Sequence, residues 1–180
     1  MVLDEGKDEP VTEKDESIPD SLSPEEDGPG AEVDRTAMSA LVREITATHL
    51  IVWTISSSGG LQSTKINVSD VSQQITSAVR ILDRNFDQAI QMVITASNSF
   101  DAAAQRWDSQ ARQSEQKLRA STNAGKLNQV KGQHNKIRTR LAPVENIFRR
   151  VVLMLQEADM RYRRRRASSS EDNLEAEDES

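Results

Sequence analysis

The chain has 180 residues, of which 36% are hydrophobic, 3% aromatic and 29% charged, and its formal net charge is −6. The low apolar and aromatic content is unusual for a compact globule and typical of long solvated helices. The absence of cysteine excludes disulfide bonds, thiolate metal sites and a cysteine nucleophile, and it fits a reducing compartment.

The sequence contains no pattern that predicts a membrane anchor. Its N-terminus is acidic, whereas a secretory signal begins with a basic and then an apolar run. The most apolar run, Leu50 to Ile55, is far shorter than the ~20 residues that a transmembrane helix needs. We therefore expect a soluble, cytoplasmic protein, with the nucleus or the periphery of a membrane as alternative locations.

Residues 1–33 are predicted to form a disordered acidic tail. They are rich in Asp, Glu, Pro, Ser and Gly, so they have little apolar surface whose burial would offset the entropy of ordering. Ser23 precedes Pro24 and has Glu26 three residues on. This pattern makes Ser23 a candidate phosphorylation site for a proline-directed or an acid-directed kinase.

A first helix is predicted over residues 34–58. Asp34 can cap its N-terminus, and the pair Gly59-Gly60 can end it. The apolar residues recur at spacings of four and three, which gives the helix one buried face. Trp53 falls outside that face and is a candidate interface anchor, because tryptophan is enriched at interaction hot spots. The β-branched residues of the same stretch also permit a short strand.

Residues 67–166 are predicted to form a long helical hairpin or coiled coil with a turn at Asn123 to Gly125. In its first arm, bulky residues from Val79 to Trp107 recur every seven positions, and a second row from Ile75 turns into alanine. The short turn makes the two arms antiparallel neighbours. Pro143, in the second arm, predicts either a kinked continuous helix or a fresh helix start.

The second arm carries apolar positions that alternate three and four residues apart, the pattern of a coiled-coil seam. Because a single helix cannot keep such a stripe dry, we predict that helices of other proteins, or of other copies of this chain, cover it. His134 is its polar member, which can fix the register of a seam or make it sensitive to pH. The predicted partner-binding seam consists of Leu127, Val130, His134, Ile137, Leu141, Val144, Phe148, Val151 and Leu155.

Five arginines end the second arm and form a basic cluster, which consists of Arg161, Arg163, Arg164, Arg165 and Arg166. One or two of them would complement the dipole at the end of a helix. The full cluster predicts contact with an anionic partner, whether an import receptor, nucleic acid or anionic lipid. Residues 167–180 are predicted to be a disordered acidic tail, in which Ser168 and Ser169 are candidate phosphorylation sites.

The sequence contains no pattern typical of an enzyme. Its two histidines, His49 and His134, lie far apart, and no Gly-rich phosphate loop or metal-ligand pair occurs. We predict an all-α, elongated helical hairpin or coiled-coil bundle that serves as a scaffold or adaptor in a larger helical complex, for example in trafficking or the cytoskeleton. No cofactor, metal ion or small-molecule substrate is expected. The alternatives are a nucleic-acid-associated or viral phosphoprotein-like oligomerising factor, and a peripheral membrane protein that uses the arginine cluster.

Overall fold

The computed structural model describes residues 28–121 and 124–177. They form a 3-10 turn (Pro29–Glu32), helix α1 (Arg35–Ala47), strands β1 (Leu50–Ile55) and β2 (Leu61–Ile66), and helices α2 (Ser69–Ile81), α3 (Phe86–Ala120) and α4 (Ala124–Glu177). The described chain is mostly helical, as predicted, and it also contains a two-stranded antiparallel sheet. The predictions for residues 1–27, including the phosphorylation site at Ser23, and for residues 178–180 lie outside the described residues.

The segment predicted as the second half of the first helix is a strand. Asp34 is the N-cap of α1, and its carboxylate accepts hydrogen bonds from the amides of Thr36 and Ala37 as expected, but the helix ends at Ala47. The β-branched and aromatic residues of β1 favour an extended chain, and they pair in register with β2. Gly59, with φ of 82°, forms the hairpin turn instead of ending a helix. The helix prediction is therefore wrong beyond residue 47.

The first arm of the predicted hairpin is divided into α2 and α3 by a turn at residues 82–85. Asn85 begins the new helix, because its side chain accepts a hydrogen bond from the amide of Gln88 at 3.1 Å. The 3-10 turn packs on this junction so closely that a Cβ at Gly30 would lie 2.6 Å from the carbonyl oxygen of Leu82. Only glycine allows this approach, which seats the start of the described chain against the junction.

α3 and α4 are antiparallel neighbours, as the short connection predicted. Phe100 packs on Phe148 with ring centroids 5.6 Å apart, and Trp107 packs on His134 at 5.7 Å. α4 runs without a break through Pro143, which is exposed. With a rise of ~1.5 Å per residue, the 35 residues of α3 and the 54 residues of α4 span ~52 Å and ~81 Å. The longer helix therefore extends beyond the start of α3.

The helix continues past the boundary predicted at residue 166, and α4 ends at Glu177. The core of the molecule lies earlier, where β1 packs against α3 and α4 and where α2 packs back along α3. Both predicted rows of the first arm face this core. The largest wholly buried side chains are Trp107, Phe100 and Phe148.

Candidate functional site

One edge of β1 faces α3 and α4, and side chains from these helices form hydrogen bonds with its backbone groups. We call it the inner edge of β1. The indole Nε1 of Trp107 donates to the carbonyl oxygen of Ile51 at 2.8 Å. The hydroxyl of Ser114 donates to the carbonyl oxygen of Trp53 at 2.5 Å, and the amide of Trp53 donates to Nε2 of His134 at 3.0 Å. Three side chains thus form the hydrogen bonds that a third strand would otherwise form with the inner edge.

His134 is held in one tautomer by its two hydrogen bonds. Because Nε2 accepts from the amide of Trp53, the ring proton lies on Nδ1, which donates to Oε1 of Glu115 at 2.9 Å. The side chain is 0% exposed, and its ring is nearly perpendicular to the ring of Trp107. The residue predicted to set the register of a seam between proteins therefore joins α4 to a strand of its own chain.

Two carboxylates of α3 that bind Arg138 ionise more readily than usual. Burial opposes ionisation of Glu115, but hydrogen bonds from His134 and Arg138 outweigh it, so the pKa of this carboxyl lies below its ordinary value. Burial likewise opposes ionisation of Asp108, and hydrogen bonds from Arg112 and Arg138 lower its pKa. Burial in turn opposes the charge on Arg138, but the two carboxylates outweigh it and raise the pKa of this guanidinium. The ionised side chains of Asp108 and Glu115 on α3 attract Arg138 on α4 and hold the two helices together next to the hairpin.

The outer edge of β2 lies on the far side of the hairpin. The backbone groups of Ile51 and Trp53 point to the helices, so the hydrogen bonds to β2 come from the alternate residues Leu50, Val52 and Thr54. The β2 residues opposite these three are Ile66, Thr64 and Gln62. The backbone groups of Leu61, Ser63 and Lys65 therefore point away from β1. Within residues 28–121 and 124–177, no backbone or side-chain group pairs with them. We call these three residues the outer edge of β2.

A groove of about 580 Å³ runs between the sheet and the C-terminal end of α3. Val52, Thr54 and Thr64 form its wall on the sheet side, and Ser114 and Leu118 belong to its helical wall. The groove combines apolar, hydroxyl-bearing and amide side chains with one charged residue, Lys117, and has no charged pair or histidine in its lining. This lining suits contact with a polypeptide better than acid–base chemistry.

Trp53, the candidate interface anchor, is half-buried, and its amide and carbonyl group bind His134 of α4 and Ser114 of α3. Its side chain borders a small cleft with Leu61 of β2 and with Gln129 and Val130 of α4. Lys126 at the start of α4 donates a hydrogen bond to the carbonyl oxygen of Gly59, so the hairpin turn is fixed to α4 as well. Trp53 therefore packs within the chain and keeps only part of its surface exposed.

The predicted partner-binding seam is covered by the chain itself. Its members Leu127, Ile137 and Leu141 are half-buried, and the other six are buried, namely Val130, His134, Val144, Phe148, Val151 and Leu155. α3, β1 and α1 supply the covering surface. The pattern correctly indicated a helix face that needs a cover, but the cover belongs to the same polypeptide, so the seam is not an exposed surface for another helix.

The arginine cluster contacts several carboxylates of the chain. Arg163 lies 2.9 Å from Asp159 and 3.6 Å from Asp87, and Arg165 lies 2.5 Å from Glu32. Arg161 lies 3.6 Å from Glu157, and no carboxylate of the described residues pairs with Arg164 or Arg166.

Ser168 and Ser169 follow the cluster as exposed helical residues. Their hydroxyls donate to the carbonyl oxygens of Arg164 and Arg165 at 3.2 and 3.1 Å. The candidate phosphorylation sites therefore lie in the last part of α4, one turn after the arginines.

Sequence reasoning missed the residues that hold the inner edge of β1, apart from His134. Trp107 was assigned to the core only, and Ser114 and Glu115 were given no role. The available signal was Ser114 itself, a hydroxyl at a position where the seven-residue pattern calls for a bulky apolar residue. A buried polar residue needs a partner, but the sequence does not say which backbone group provides it.

Comparisons with protein-family models, with curated proteins and with solved structures find no match for this chain. Among the described residues, no helix is both long and apolar enough to cross a membrane. The same residues contain no group of three or more His, Cys, Asp or Glu side chains that could hold a metal ion.

Proposed function

We propose that this protein is a non-enzymatic adaptor of a larger protein assembly, and that an extended segment of a partner adds as a third strand to the outer edge of β2. The observation that carries the proposal is the contrast between the two edges of the hairpin. Trp107, Ser114 and His134 bind the inner edge, whereas nothing in the described chain binds the outer one. Unpaired strand edges are the surfaces on which β-strand addition occurs.

The rigidity of the hairpin supports the same proposal. An isolated two-stranded hairpin is marginally stable in water, but this one is attached through β1 to two long helices and through its turn to Lys126. The outer edge is therefore presented in a fixed position before a partner arrives, which reduces the entropy lost on binding.

The groove beside β2 gives such a segment side-chain contacts in addition to backbone hydrogen bonds. Side chains on one face of an added strand would lie near Thr64, at the wall of the groove, while the opposite face would lie near Lys65. Backbone pairing supplies affinity in strand addition, and such flanking side chains supply selectivity. We expect a preference for segments that alternate small apolar residues with acidic ones.

A proline at position 63 tests the proposal. The Ser63 amide points outward, so Ser63→Pro removes a donor that an added strand needs without breaking the ladder between β1 and β2. Ser63→Ala is the matched control, because it removes the same hydroxyl and keeps the amide. Short peptides would be selected from a random display library on the full-length protein, and their affinities for the three proteins measured by fluorescence anisotropy.

We expect Ser63→Pro to weaken binding of the selected peptides at least about tenfold, the loss expected for about one net hydrogen bond together with the steric block. Ser63→Ala should bind like the unmodified protein. In hydrogen exchange, the amides of Leu61, Ser63 and Lys65 should become protected when peptide is bound. Peptides that bind Ser63→Pro as tightly as the unmodified protein, with no new protection at these amides, would refute the proposal.

A further inference from the structure

α4 carries a second surface, on the side that faces away from the core. The large hydrophobic side chains that the described residues leave exposed are Leu153 and Met160, each at 51%. They are seven residues apart, so they lie on the same side of the helix, two turns from each other. Val151, Leu155 and Ala158 are buried on the other side of the same segment. The two exposed residues therefore project outward from a helix whose opposite face is fixed in the core.

Arginines flank these two side chains along the helix. Arg150 precedes Leu153 by three residues and Arg164 follows Met160 by four, which places both on the same side as the two apolar residues. Arg161, next to Met160, lies at the border of this side. We call the whole surface the outer stripe of α4, and it consists of Arg150, Leu153, Met160, Arg161 and Arg164.

The ion pairs of the arginine cluster explain why Arg164 belongs to this stripe. Arg163 reaches Asp87 at the start of α3, and Arg165 reaches Glu32 in the 3-10 turn. At 100° per residue these two arginines lie on opposite flanks of α4, so Arg164 between them is directed away from the core. Arg161 pairs with Glu157 on the same side of the helix, whereas no carboxylate of the described chain pairs with Arg150 or Arg164. The positive charge of Arg150 and Arg164 is therefore available to another molecule.

We infer that the outer stripe of α4 docks on an anionic lipid bilayer. Arginine guanidinium groups bind phosphate and carboxylate headgroups, and their aliphatic stems accompany apolar side chains into the interfacial layer. Leu153 and Met160 lie between the arginines at the same level of the surface, so both kinds of contact form when α4 lies flat on the membrane. This mode of binding requires no helix that crosses the membrane.

The pattern of the stripe favours a bilayer over a partner helix. A helical partner packs on two apolar positions in every seven residues. Here one such row reads Asn146, Leu153, Met160 and Ala167, but the positions that would form the second row are Arg, Gln and Glu residues. A bilayer is planar and continuous, so a single apolar row with charged borders is enough for it.

The test uses the full-length protein and vesicles of phosphatidylcholine, with and without phosphatidylserine, in flotation assays at low salt and at about 0.15 M, where the Debye length is about 8 Å. We expect binding to the phosphatidylserine vesicles only, and weaker binding at the higher salt. Arg150→Gln combined with Arg164→Gln should reduce the bound fraction at least about tenfold, from ~1 kcal/mol for each arginine near an anionic surface. Leu153→Ser combined with Met160→Ser should reduce it by a similar factor.

The matched control removes two exposed arginines from α3, with Arg106→Gln combined with Arg119→Gln. It makes the same change in net charge and should bind like the unmodified protein. All these positions are exposed, and circular dichroism with thermal unfolding would verify that each variant is folded.

The inference would be overturned if the unmodified protein did not bind phosphatidylserine vesicles at low salt, or if the α3 control lost binding to the same extent. Full binding of the variant without Leu153 and Met160 would also overturn it. Binding to polyglutamate but not to vesicles would likewise assign the stripe to an acidic protein. None of these assays depends on the outer edge of β2, so this inference and the proposed function can fail separately.

Discussion

Replacing Ser114 with alanine tests whether the helices hold the inner edge of β1. Ser114 is 5% exposed, and its hydroxyl donates to the carbonyl oxygen of Trp53 at 2.5 Å, so its removal leaves that partly buried oxygen without this donor. A buried acceptor that loses its donor costs about 1–3 kcal/mol. Only one oxygen atom is removed, so the cavity contributes little. We expect the free energy of unfolding to fall by about 1–3 kcal/mol.

The matched control is Ser99→Ala, which makes the same chemical change at an exposed position of the same helix. Alanine favours a helix over serine by up to about 0.5 kcal/mol, and this gain is common to both variants. Their difference therefore isolates the hydrogen bond to Trp53.

The measurement is urea unfolding followed by far-UV circular dichroism, with thermal unfolding as a second probe. The midpoint temperature of Ser114→Ala should fall by about 2–4 °C for each kcal/mol lost. The m-value should stay the same, because the surface exposed on unfolding is unchanged. If the two alanine variants differ by less than about 0.3 kcal/mol, the hydrogen bond from Ser114 does not hold the strand, and the inner edge is stabilised by apolar packing alone.

The remaining predictions concern the core and the charged groups. Phe148→Ala, at a position 2% exposed, should cost about 3–5 kcal/mol in urea unfolding, whereas Leu141→Ala, at a half-buried position, should cost clearly less; equal losses would contradict the assigned burial. The pKa values of Asp108 and Glu115 lie below their ordinary values of 3.8 and 4.5. Each carboxylate therefore adds stability above the pKa of the unfolded chain, and this stability is lost as the pH falls below that value. Glu115→Gln should flatten the decline in unfolding free energy below about pH 4.5, and an unchanged decline would mean that Glu115 contributes none of it.

The Glu115 experiment also bears on His134, because the two side chains share a hydrogen bond. Nε2 of the same ring accepts a hydrogen bond from the amide of Trp53. The histidine is thus fixed by a strand as well as by a carboxylate, and its role is to position β1.

Much of the helical architecture follows from local patterns in the sequence. The seven-residue rows through Phe100 and Trp107 predicted a buried face, and both residues are wholly buried. Asp34 predicted the start of α1, since an N-cap needs only a side-chain oxygen and two nearby amides. The short connection after α3 predicted antiparallel helices, because a few residues do not allow any other path. These features depend on interactions between residues that are close in the chain or repeat along one helix.

Other features depended on contacts between distant parts of the chain. The run from Leu50 to Ile55 suits a helix or a strand, and pairing with β2 decides in favour of the strand. The polar residues of β2 gave no strand signal, because this strand buries little and is ordered by its neighbour. The apolar seam of α4 predicted that another surface packs on it, but the pattern did not identify that surface. The same periodicity occurs in helices that pack within a chain and in helices that pack between chains.

The sequence by itself determined which residues avoid water and where the long helices lie, because hydrophobic periodicity is a local property of the chain. Only the tertiary structure decided which surface covers which. It placed the seam inside the molecule, bound the inner edge of β1 to Trp107, Ser114 and His134, and left the outer edge of β2 and the outer stripe of α4 exposed. A hydrogen bond between residues 61 positions apart, such as that of Ser114 and Trp53, leaves no periodic trace in the sequence, because it depends on how whole elements pack.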